Sequence, residues 1–147
     1  MSRHVPSAGF TLIEIIMVTA MIGMLTVATV PLSQRYLARG KMDAVVREFI
    51  SSTRHAQTLA QTETDGEAWG VYVGSSLITV FQGDSFALRS VDYDQSTPYP
   101  ASMTVTGTVE YDFTQRTGKT AAGTLTITGE SGDVRVITVN EFGVVEY

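Results

Sequence analysis

The sequence predicts an α+β chain in which a long N-terminal helix, half membrane span and half amphipathic, packs on a C-terminal antiparallel β-sheet or sandwich. Three observations carry that expectation. None of the 20 positions from residue 15 to residue 34 is charged. From Arg35 to about Thr64 apolar residues recur at spacings of three and four, the signature of a helix with one buried face. Beyond Trp69 the period falls to two, in short β-branched and aromatic runs separated by turn residues.

The elements follow in order. At ~1.5 Å per residue the uncharged run would cover ~30 Å, the thickness of a bilayer core, so residues 10–34 are expected to span a membrane once. Residues 35–66 form the amphipathic half, with Met42, Val45, Val46, Phe49, Ala56, Leu59 and Ala60 on the face to be buried and Arg39, Asp43, Arg47, Glu48 and Arg54 between them. Pro31 removes a backbone donor and Gly40 weakens helix propensity, which predicts one long, locally loosened helix rather than two. Asp65-Gly66 is expected to end it. In the β domain, residues 67–147, strands are expected at 69–73, 77–82, 87–93, 103–113, 124–128, 134–139 and 144–147. The intervening Gly-, Ser- and Asp-rich segments are hairpin turns, and the prolines of Thr97-Pro98-Tyr99-Pro100 predict a loop.

Composition removes several classes of function. The net charge is −5, and residues 69–147 set only Arg89, Arg116, Lys119 and Arg135 against nine carboxylates. Such a surface repels a phosphate backbone, so no nucleic acid is expected as a partner. The absence of cysteine excludes a disulfide framework, a thiolate nucleophile and a Cys-ligated metal. His4 and His55 are the whole histidine complement, too little for a triad or a His-rich metal centre. No nucleophile elbow, zinc-helix motif or phosphate-cradling glycine loop occurs. The chain is read as a non-enzyme that needs no cofactor and no metal.

The strongest chemical signal is Gly9-Phe10-Thr11-Leu12-Ile13-Glu14. A carboxylate at the edge of an apolar span is costly unless a cation pairs with it. A cut between Gly9 and Phe10 would create an α-amine near Glu14. Pairing within one helix is geometrically poor, so the better partner is the amine of a neighbouring chain, and that implies an assembly.

At these residues the sequence resembles the type IV pilin and pseudopilin superfamily. The resemblance implies a leader of residues 1–9 removed by prepilin peptidase, Gly9 before the cut, Phe10 as the N-methylated terminus, Thr11 and Leu12 as motif residues, and Glu14 as the assembly carboxylate. Pro31 falls where such helices commonly carry a proline. Tyr111-Asp112-Phe113, Gly118, the strand at 124–128, Val134 through Asn140, and Gly143-Val144-Val145 look like the closing pattern of GspH/FimT-type minor pseudopilins. The implied function is a structural minor subunit, most readily of a type II secretion system pseudopilus involved in protein transport. Its partners would be other pilins or pseudopilins, and it would sit in the inner membrane with its C-terminal domain in the periplasm. A FimT-like minor pilin, serving pilus assembly or DNA uptake, is the alternative within the family. Outside it stands a secreted β-sandwich binding module, for which Thr26-Val27-Ala28 would be the signal-peptidase site.

Weaker sites have ordinary structural readings. Asp92, Asp94 and Gln95 could offer oxygens to calcium but read as a solvated face. Trp69, Tyr72, Phe81, Phe86, Tyr93, Tyr99 and Phe113 could line an aromatic surface but read as core. Arg135 reads as a structural hydrogen-bonder, and His55 as exposed and without a partner.

Overall fold

The computed structural model describes residues 9–63 and 66–147, with backbone only at 26–36 and 38. The chain divides into two compact units, Met1–Leu37 and Ala38–Tyr147. Helical backbone lies within α1 (Leu12–Gln61), described with its side chains as two short helical stretches, residues 12–25 and 39–61. The two belong to different units.

This corrects the expected architecture. The long N-terminal helix serving as span and scaffold together is replaced by two short stretches, of which only 39–61 contributes to a core, while the antiparallel β part consists of two four-stranded sheets. No helix among the described residues is long and apolar enough to cross a membrane. Residues 12–25 would cover only ~21 Å at ~1.5 Å per residue, against a ~30 Å hydrocarbon core. Helix ending also differs: Glu63, at φ 52°, and Gly66, at φ 71°, turn the chain after Gln61, while Asp65 lies outside the described residues.

In the second unit, Met42, Val45, Val46, Phe49, Ala56 and Ala60 are buried. They share one apolar cluster with residues of both sheets. The first sheet is ordered β3-β2-β1-β5, with β1 at Trp69–Val73, β2 at Leu77–Gln82, β3 at Gln95–Pro98 and β5 at Glu110–Phe113. The second is ordered β4-β6-β7-β8, with β4 at Thr104–Gly107, β6 at Gly123–Thr128, β7 at Val134–Val139 and β8 at Val145–Glu146. Leu125, Ile127, Ile137 and Val139 alternate inward from β6 and β7, the period-two pattern of a sheet with one buried face.

Three departures from the expected strands have local causes. The run at 103–113 is two strands in different sheets, because the chain changes sheet at Gly107. There φ is +95°, and an added Cβ would lie 2.2 Å from the Thr124 carbonyl oxygen, so only glycine fits. Thr97 and Pro98, within the stretch 97–100 expected as loop, belong to edge strand β3, whose pairing places Pro98 opposite Leu77; an edge strand can lack a donor on its outer side. Residues 87–93, expected as strand, form no strand. Two short 3-10 turns, Phe86–Leu88 and Val91–Tyr93, replace it. Arg89 fixes this segment: its Nε donates to Asp94 at 2.8 Å, its Nη1 donates to the Phe86 carbonyl at 2.7 Å, and its guanidinium lies 3.7 Å from the Phe86 ring centroid. Phe86 in turn stacks on Tyr72 at 3.9 Å and meets Phe81 edge-on at 5.5 Å. A segment held this way covers the outer face of β1 and β2, which is why β2 is buried at five of its six positions.

Candidate functional site

The residues singled out at the start of the chain come together where the helix begins. The Glu14 N–H reaches the Thr11 hydroxyl oxygen at 3.4 Å and the Thr11 carbonyl at 3.1 Å, and the Ile15 N–H donates to the same carbonyl at 3.3 Å. Thr11 is therefore an N-cap, and Thr11-Leu12-Ile13-Glu14 carries the Thr-x-x-Glu spacing of a capping box. The motif reading assigned Thr11 no such role, although the spacing alone could have found it. Glu14 also lies in the first turn, where the helix dipole favours a negative charge. The described ion pairs are Arg89–Asp94, Arg116–Glu63 and Arg135–Asp43, and none involves Glu14.

Beyond the cap, the stretch exposes large apolar side chains on every side: Phe10 is 81% exposed, Leu12 80%, Met24 77%, and even the least exposed of these, Val18, 50%. Thr19 does not offer a free hydroxyl to this surface, because its Oγ1 donates back to the Ile15 carbonyl at 2.9 Å. Monomeric proteins rarely leave so much contiguous apolar surface in water, and its presence marks an interaction site. A Cβ added to Gly9 would meet nothing within 4 Å, so the fold itself does not require glycine there. Residues 1–8 and the Pro31 side chain lie outside the described residues.

The second unit holds two clefts of opposite chemistry. One, of about 390 Å³, is lined by Glu67, Ala68, Asp84, Asp112, Phe113, Thr114 and Gln115. Its Asp112 Oδ1 is buried with no hydrogen-bond partner among the described residues. Burial first, then the charges of Glu110 and Asp84, push the Asp112 carboxyl up to about 6. The other cleft, of about 370 Å³, is lined by Asp43, Val46, Arg47, Arg135 and Tyr147.

The weaker sites resolve individually. Asp94 is engaged by Arg89, and among the described residues no group of three or more His, Asp or Glu side chains is placed to hold a metal. His55, expected to lack a partner, sits with its Nε2 3.2 Å from the Gln95 side-chain oxygen. Trp69, Phe81, Tyr99 and Phe113 are buried, whereas Tyr93 is 46% exposed. Arg135 donates to the Val134 carbonyl at 3.3 Å and meets Asp43 at 3.5 Å. In comparisons with known proteins, the chain matches no family model, no curated protein and no solved structure.

Proposed function

We propose that the protein is a structural minor subunit of a type IV pilin-like filament, of the pseudopilin kind, and that residues 10–25 are its assembly surface. The observation that carries this reading is the helical stretch 12–25, capped by Thr11, which exposes apolar side chains on all sides and bears Glu14 in its first turn. A helix that is apolar all round suits the centre of a multi-helix assembly, where such side chains are buried. Before assembly the same surface would associate with lipid at the inner membrane, with the domain 38–147 on the periplasmic side. Within the filament, Glu14 would meet the α-amine of a neighbouring copy, a charge pair worth most where water is excluded. Gly9 would stand immediately before the cut, the position at which the resemblance places a residue without a side chain.

Mass spectrometry of the native N-terminus tests the reading. The expected mature chain begins at Phe10, and Gly9→Leu leaves unprocessed precursor. A mature chain beginning at Thr29 would instead identify a secreted module.

A further inference from the structure

The two clefts of the second unit lie at opposite ends of the helical stretch 39–61. The arginine cleft is fixed to its beginning: Arg135 meets Asp43, and Gly129 of the adjoining β6–β7 turn lies against the Met42 side chain. The carboxylate cleft is fixed to its end. The Arg116 N–H donates to the Ala60 carbonyl at 3.0 Å, and the Gly83 N–H donates to the Ala68 carbonyl at 2.8 Å. Strand pairing sets Asp112 opposite Gly70, one residue into β1. Between Asp43 and Ala60 the helix rises ~25 Å at ~1.5 Å per residue.

The chemistry of the two ends is complementary. Arg135 spends one long 3.5 Å contact on Asp43 and one on a backbone carbonyl, and its side chain remains 41% exposed. Arg47 beside it is exposed, and its side chain makes no hydrogen bond or ion pair among the described residues. Two guanidinium groups facing one cleft present paired donors in the planar geometry that suits carboxylates. At the other end Glu67 and Asp84 are exposed, and none of the described residues lining their cleft is basic. The nearby cations are otherwise engaged, Arg116 with Glu63 and Lys119 over the Phe142 ring at 5.3 Å.

We infer that the Arg47–Arg135 cleft of one copy receives the Glu67 and Asp84 carboxylates of the next, a head-to-tail contact between periplasmic domains. The inference rests on the filament reading above and gives it a second, polar interface. A contact that joins two different surfaces repeats from copy to copy, and it forms an open filament whenever the rotation does not close a ring. Asp112 fits this arrangement: it lines the same cleft, and its carboxyl, raised first by burial and then by Glu110 and Asp84, would be favoured in its charged form by an arriving guanidinium.

A charge swap on the full chain, in nonionic detergent that occupies the 12–25 surface, tests the contact by sedimentation velocity. R47E/R135E alone and E67R/D84R alone should each weaken self-association about tenfold or more, and an equimolar mixture should restore it. Wild-type association should also weaken with added salt. Circular dichroism identifies any variant that has failed to fold, and Arg47→Gln with Asp84→Asn then provides a milder pair with losses in the same direction. Unchanged association of either double variant, or a mixture that associates no better than its components, overturns the inference. Processing after Gly9 is read separately, so a failed swap in a chain that matures at Phe10 removes this contact and leaves the filament reading standing.

Discussion

Residues 12–25 and 39–61 share a helical backbone and are both rich in apolar side chains, yet they meet opposite fates. In the first, the apolar residues run consecutively and cover the whole circumference, so no neighbouring sheet could bury them together. In the second they keep to one stripe, with Arg39, Lys41, Arg47 and Arg54 on the other face, and that stripe disappears into a core where Phe49 is 0% exposed. The difference teaches that arrangement, rather than apolar content, decides whether a helix is used within its own chain or offered to others.

The largest effect should come from the buried stripe. Phe49 packs against Tyr111 with ring centroids 5.8 Å apart, and Phe49→Ala should lower the unfolding free energy of the domain by ~3–5 kcal/mol, read by urea denaturation. Next comes Asp112. Burial first, then Glu110 and Asp84, push its folded carboxyl from the ordinary 3.8 up to about 6, so the folded state binds the extra proton, and this group's contribution to stability is lost as pH rises from about 4 through 6. Asp112→Asn should therefore raise the melting temperature at pH 7.5 and leave it little changed at pH 3.5. A variant destabilised at pH 7.5 would show that the carboxylate has a compensating partner.

The exposed stretch predicts smaller, local effects. Thr11→Ala removes the cap and should cost ~1 kcal/mol of local helix stability, visible as faster amide exchange over the first turn with no change in the melting of 38–147. Ile16→Ala should move domain stability by no more than about 0.5 kcal/mol. A loss of several kcal/mol there would erase the distinction between the two stretches.

What could be read from sequence followed the same division. Strong periodicity was legible: Met42 through Ala60 as a buried stripe, and the strands at Trp69–Val73, Leu77–Gln82 and Val134–Val139. What failed depended on contacts distant in sequence. Residues 87–93 look like a strand until Arg89 binds Asp94 and Phe86 finds Tyr72. Residues 103–113 read as continuous until Thr124 crowds Gly107, and Pro98 reads as a loop residue until its edge position is known. The span expectation counted uncharged positions, which measure apolar length but do not place residues in one described helix. At the candidate site, the cluster from Gly9 to Glu14 was visible as a motif, and the Thr11 cap was visible in its spacing. The opposed clefts were not, because Arg47 and Arg135 are 88 positions apart and meet only through the fold.

In the proposed reading, residues 10–25 serve assembly while 38–147 supplies its own stability. Glu14→Leu addresses it most directly, through the fraction of subunit recovered in sheared filaments by cross-linking and fractionation, measured beside the melting temperature of the same chain. Filament recovery is expected to fall roughly tenfold or more while the melting temperature and membrane recovery stay at the parent's values. A Leu variant that enters filaments as well as the parent would contradict it.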